Sequence, residues 1–152
     1  MVGVLIIAHA PLASALKAVA RHTFPDVLCT MEALDVPAEV PLEDTEVIGR
    51  KLLSQMTARE VLIFTDVFGA SPCNLAQRLA ASCDTKLVKV VAGVNVPMVW
   101  RSLCYANEGL DRVVERAVAG ATQGVIQVSF SRPQNQTSKS APNDQSHHHH
   151  QQ

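Results

Sequence analysis

Gly3-Val4-Leu5-Ile6-Ile7-Ala8-His9-Ala10-Pro11-Leu12-Ala13-Ser14-Ala15-Leu16-Lys17-Ala18-Val19 changes period in its middle. Its first half is an unbroken apolar run of strand length, as expected of a parallel strand covered on both faces. Its second half places Leu12, Ala15, Leu16 and Val19 at i, i+3, i+4 and i+7, the apolar stripe of a helix, with Pro11 suited to the first turn. The junction leaves His9 at the carboxyl end of a first strand. Open α/β sheets keep their ligand sites at such ends, and helix N-termini there attract anions. His9 is therefore a candidate for phosphate chemistry; the plainer alternative is a histidine that merely ends a strand. Outside the last residues, His22 is the one other histidine.

The alternation of apolar runs and helical stripes continues to about residue 130, the pattern of an α/β fold with a mainly parallel sheet covered on both faces. Further strands are predicted at 28–34, 61–65, 87–92 and, least clearly, 125–130. Helices are predicted from Glu43 or Asp44 through Val47, Ile48, Leu52 and Met56, from Ser71-Pro72 through Leu75 and Leu79, from Pro97 through Met98 and Trp100, and over 110–121. Ser71-Pro72 reads as an N-cap hydroxyl followed by proline at the first helical position.

With 152 residues, 47% of them apolar, the chain is sized for one domain with a continuous core. Thirteen basic and fourteen acidic side chains give a net charge of −1 and form no basic stripe, which argues against a nucleic-acid partner. No Lys or Arg precedes the first apolar run, which is too short for a signal core, and no stretch approaches the roughly 20 apolar residues of a membrane span. A cytoplasmic location is expected. Cys29, Cys73, Cys83 and Cys104 are scattered, so neither a zinc site nor a redox dithiol is signalled, and no cofactor or metal is expected. Residues 131–152 are rich in Ser, Gln, Asn and Pro and are expected to be a disordered tail; the tract His147 to His150 is assigned no function.

In a doubly wound sheet of flavodoxin-like order, strands one and three are neighbours, and their carboxyl ends flank the ligand crevice. Asp66 follows strand three as His9 follows strand one, so the two side chains are expected to face each other about one strand spacing apart. A carboxylate bonded to one ring nitrogen fixes the tautomer, leaves the other nitrogen as nucleophile, and stabilises positive charge on the ring. The alternative for Asp66 is an Asx-type residue that only stabilises the turn Asp66-Val67-Phe68-Gly69. The helix starts at Pro11 and Ser71-Pro72 would turn unpaired N–H groups toward an oxyanion in the same crevice. Ser71 either only caps its helix or also reaches a phosphoryl oxygen. Neither G-x-G-x-x-G nor G-x-x-x-x-G-K-[ST] occurs, so no nucleotide cradle is visible. Gly69-Ala70-Ser71-Pro72-Cys73 departs from a nucleophile elbow at its second glycine, and His9 precedes the serine, against a serine hydrolase.

Three segments in order, Ile6-Ile7-Ala8-His9, then Phe64-Thr65-Asp66-Val67-Phe68-Gly69-Ala70-Ser71-Pro72-Cys73-Asn74, then Val91-Ala92-Gly93-Val94-Asn95-Val96-Pro97-Met98, resemble one known family. It is the enzyme IIA component of the mannose family of the bacterial phosphoenolpyruvate-dependent sugar phosphotransferase system, and the resemblance spans residues 1–130. It implies a flavodoxin-like, mainly parallel five-stranded sheet of order 2-1-3-4-5, with the last strand antiparallel and exchanged in a homodimer. It also implies that His9 accepts a phosphoryl group from HPr and passes it to a IIB component, with Asp66 holding the ring; because the residues after 130 are a polar tail, either a IIB component on a separate chain or no sugar permease at all is expected. Membrane association would be only indirect, through permease subunits. Ala10, Ser71 and Pro72 would then lie against the phosphoryl group, and Phe68, Gly69, Asn95, Pro97 and Met98 would form the walls of the site. Where family members commonly carry glycine or small residues at the histidine and a Trp-Gly-Gly run after the acid, this chain has Ala8, Ala10, Phe68, Gly69 and Ala70. The other functions open to such a chain are a stand-alone regulatory sensor of phosphorylation state and a phosphoryl-relay subunit for dihydroxyacetone phosphorylation.

Overall fold

The computed structural model describes residues 1–27 and 29–129. The expected tail at 131–152 lies outside them. Nine elements follow in order: β1 (Gly3–His9), α1 (Leu12–Thr23), β2 (Met31–Val36), α2 (Leu42–Gln55), β3 (Glu60–Thr65), α3 (Ser71–Ala81), β4 (Leu87–Ala92), α4 (Val96–Cys104) and α5 (Leu110–Gln123). The strands form one sheet of order β2-β1-β3-β4, and every pairing in it is parallel. This is the flavodoxin-like, doubly wound arrangement among the described residues.

The continuously apolar runs occupy the middle of the sheet because β1 and β3 are covered on both faces. Alternation along them separates two cores. Val4, Ile6, Ala8, Leu62 and Phe64 pack with Leu16, Met98, Val99 and Val113 under α1, α4 and α5. Leu5, Ile7, Val61 and Ile63 pack with Leu53, Leu75 and Leu79 under α2 and α3. Two helices approach closely because Gly49 of α2 has no side chain: a Cβ there would sit 2.7 Å from Leu79 Cδ1 and 3.3 Å from Leu34 Cδ2.

Three expectations change. The second strand lies at Met31–Val36 rather than 28–34. Its apolar run is broken by Glu32, which pairs with Lys17 of α1 at 2.6 Å, and by Asp35, which also faces α1, so the polar positions belong to the strand. Residues 125–129 form no strand, and Val125, Ile126 and Val128 are exposed, because no strand of the described chain runs beside them. Finally, Ser71 is not the cap of α3. The helix begins with Ser71 itself, Ala70 occupies the extended N-cap position, and no side-chain cap bond forms.

Candidate active site

β1 pairs directly with β3, Ile7 opposite Thr65, so the residues that follow emerge side by side at the carboxyl edge of the sheet. Asp66 Oδ2 accepts a hydrogen bond from the His9 backbone N–H at 2.9 Å and lies 2.7 Å from the His9 ring at Nδ1. Its Oδ1 accepts from the Val67 N–H at 2.8 Å. Two backbone donors therefore fix the carboxylate before the ring arrives. The His9 side chain is 50% exposed while that of Asp66 is 10% exposed, so the acid is buried beneath an imidazole that faces solvent.

Burial pushes the Asp66 carboxyl up, but the hydrogen bonds from the His9 amide, the His9 ring and the Val67 amide, with the charge of the ring, outweigh it and hold the group below the ordinary carboxylate range. An ionised carboxylate can only accept, so Nδ1 carries the proton that points at Asp66. The lone pair of the neutral ring is then on Nε2, which takes no hydrogen-bond partner among the described residues. Such an imidazole is poised to attack an electrophile from the solvent side, and its developing positive charge faces an anion.

The neighbouring loop is tied to the same place. Gly93 N–H donates to the Asp66 carbonyl at 3.0 Å and Val94 N–H to the Thr65 carbonyl at 2.9 Å. Gly69 and Gly93 adopt φ of +81° and +89°, a left-handed backbone that glycine takes without strain, and so turn both loops back at the sheet edge. Thr65, fully buried just before Asp66, leaves its hydroxyl without a partner among the described residues.

The two helix starts differ. Asp35, at the end of β2, accepts from the Ser14 N–H at 3.1 Å, so a carboxylate already satisfies part of the first turn of α1. The first turn of α3 has no such side chain. Ser71 is exposed there and offers a hydroxyl and an N–H, whereas Pro72 is buried and has no N–H to give. Ala10 is exposed beside His9, and its N–H donates to Val36 O at 3.2 Å. Phe68 and Gly69 stand exposed in the loop after Asp66. Asn95 caps α4, accepting from the Met98 N–H at 3.0 Å, and Met98 itself is buried in the core. Pro97 lies toward the seam between α4 and α5. Asp35 is the residue that sequence reasoning missed; an acid closing the strand beside β1 is its signal.

Apolar side chains surround this edge. Leu12 opens α1, Val40 precedes α2, and Val67 and Phe68 follow Asp66; all four are exposed, Phe68 by 79%. Such a rim suits a protein surface better than a small polar substrate. Among the described residues no group of three or more His, Cys, Asp or Glu side chains could hold a metal ion, and no helix is long and apolar enough to cross a membrane.

The family described as PTS system fructose IIA component, EIIA-man, matches residues 3–118. The chain belongs to this family. It is 34% identical over 92 residues to the PTS system mannose-specific EIIAB component of Escherichia coli K12, a match covering 57% of this chain and 28% of that protein. The matched part is thus just over a quarter of the length of the curated relatives, which include the same component from Shigella flexneri. Among solved structures, phosphotransferase component EIIA of Streptococcus agalactiae superposes with a TM-score of 0.75 at 19% identity, covering 84% of this chain and 97% of that one. The mannose/sorbose specific IIA subunit of Enterococcus faecalis gives 0.73 at 18% identity, covering 86% and 96%. These two likenesses establish the fold. IIA proteins are components of a phosphotransfer system, and in this IIA chain His9 and Asp66 meet at the sheet edge.

Proposed function

We propose that residues 1–130 form a phosphotransfer domain that carries a phosphoryl group on His9 Nε2, taking it from phosphorylated HPr and passing it to a IIB component. The supporting observation is the 2.7 Å contact of Asp66 Oδ2 with His9 Nδ1 beneath a ring that remains half exposed. In the forward step the Nε2 lone pair attacks phosphorus, the bond from phosphorus to the ring nitrogen of the donor breaks, and that electron pair returns to the donor imidazole. Nδ1 keeps its proton, and Asp66 balances the charge on the phosphorylated ring. Phosphoryl oxygens find the open first turn of α3, where Ser71 offers a hydroxyl and an amide, and Ala10 and Pro72 complete the set that faces them in this reading. Phe68 and Gly69 stand in the site wall, with the loop that contains Asn95 and leads to Pro97 and Met98 behind it. The apolar rim then serves two protein partners in turn, in the cytoplasm, where a IIB component acts beside its permease.

We also read the chain as a homodimer. Among the described residues β4 is a sheet edge whose outer side is unpaired, and nothing covers the apolar side chains of Val125, Ile126 and Val128. A second copy whose corresponding segment lies along β4 satisfies both.

Incubation with phosphoenolpyruvate, enzyme I and HPr is expected to give an acid-labile phosphoryl adduct on the wild-type chain and none on His9→Ala. An adduct that persists in the variant, or a wild-type chain that takes up no phosphate from HPr, overturns the assignment.

A further inference from the structure

The chain has one Trp, one Tyr and four Phe, so its core is almost wholly aliphatic. Trp100, Tyr105 and Phe24 nevertheless gather around a single cavity of about 320 Å³ between the end of α1 and the α4–α5 pair. That volume lies within the range of small-molecule sites. Trp100 and Phe24 meet edge to face, ring centroids 6.0 Å apart at 84°, and Trp100 stays 37% exposed, so part of the indole faces the cleft as a wall. Arg116 lies over the Tyr105 ring at 4.6 Å and holds that second wall in place.

Among the described residues one charged side chain lines the cavity, that of Arg101, which is exposed at its mouth. It takes no carboxylate among the described residues; its Nη2 reaches only the Gln123 amide oxygen, at 3.5 Å. Among the described residues no acidic side chain lines the space. Gly120 and Gly124 let α5 lie close against α4 at the floor: a Cβ on Gly120 would stand 2.6 Å from Arg101 Cγ. An open cleft walled by aromatic rings, with a guanidinium that has no carboxylate partner among the described residues, matches a planar body bearing an anionic end, since Arg both forks onto carboxylate or phosphate oxygens and stacks on rings.

We propose that this pocket binds a small organic anion built on a flat ring, the ring against Trp100, Phe24 and Tyr105 and the carboxylate or phosphate on Arg101. The site is separate from His9 and does not rest on the phosphotransfer assignment. Because Trp100 is the chain's only tryptophan, its emission reports occupancy directly.

Titration of the full chain with phenyl phosphate and with phenylacetate is expected to change Trp100 fluorescence saturably, and the stronger of the two identifies the anionic group. Inorganic phosphate and benzyl alcohol, each offering half of the ligand, should bind about tenfold or more weakly, as should phenyl phosphate to Arg101→Gln. Cys104→Leu, which narrows the pocket without touching the charge, should weaken binding as well, and His9→Ala should bind as the wild type does. The proposal fails if no saturable change occurs, if Arg101→Gln binds equally well, or if His9→Ala abolishes binding. It fails equally if Trp100 is already shielded from acrylamide and unmoved by either anion, which would place the chain's own segment 125–129 or a second copy in the pocket.

Discussion

Asp66 does two jobs with one oxygen, since Oδ2 accepts from both the backbone and the ring of His9. Asparagine preserves the shape and can still accept from the backbone, but it removes the anion that stabilises the ring as a bond forms at Nε2. Asp66→Asn is therefore expected to retain the fold and slow phosphoryl transfer by roughly 10²-fold, measured as the rate of label uptake from phosphorylated HPr. A variant that transfers at the wild-type rate would remove Asp66 from the mechanism. The carboxyl also leaves a signature in stability. Its pKa in the folded chain is depressed, so its contribution is fully present above the unfolded value of about 3.9 and is lost as pH falls through the folded value. The gap in thermal midpoint between wild type and Asp66→Asn should accordingly be widest near neutrality and close on acidification through that window. At this scale the His9–Asp66 pair was legible because each follows an apolar run that can only be a strand. Asp35 was legible only as an acid closing an apolar run; its role was not. Its partner, the Ser14 amide, lies 21 positions away, and nothing local shows that the two ends meet.

At the scale of elements, α2 and α3 are seated by Gly49, where two effects oppose each other. Replacing a helical glycine relieves a propensity penalty of about 1 kcal/mol at most, whereas forcing methyl groups into a filled core costs about 1–3 kcal/mol. Leu79 and Leu34, the side chains a Cβ would meet, are both buried and have little room to move aside, so the steric cost wins. Gly49→Val is expected to lower the thermal midpoint by about 4–8 °C while leaving phosphorylation of His9 intact, because the seat lies away from the ring. A raised midpoint would show that the core accommodates the side chain. Element boundaries were legible to the extent that one force dominated them. β1 and β3 followed from unbroken apolar runs, β4 from a run interrupted only by Lys89, and α1 from its stripe. β2 was displaced because Glu32 and Asp35 serve α1 from within the strand, and a polar residue with a tertiary partner looks like a loop residue in the sequence. Ser71 misled for a related reason: serine before proline has the chemistry of a cap, but the chain bends one residue earlier, at Ala70.

The whole molecule shows where a single chain runs out of information. The segment 125–130 alternates like a strand, yet residues 125–129 pair with nothing in the described chain, and β4 exposes Leu87 and the outer edge of its backbone. An unpaired edge and an unpaired apolar segment on one molecule call for each other, and the geometry that joins them without an open chain of copies is a two-fold dimer. The full chain should therefore sediment as a dimer with a thermal midpoint that rises with protein concentration, since assembly is linked to folding. Ile126→Asp combined with Val128→Asp places two charges on the apolar face of that segment and should yield a monomer of lower midpoint. A wild-type chain that is monomeric at every concentration, with a midpoint independent of it, would leave the segment without this role. Because Trp100 faces the pocket beside Gly124, where the segment departs, the same pair of substitutions separates two fates for it. A change in Trp100 emission that tracks dissociation ties the segment to the pocket, and constant emission through the dimer-to-monomer transition leaves the pocket to its own ligand.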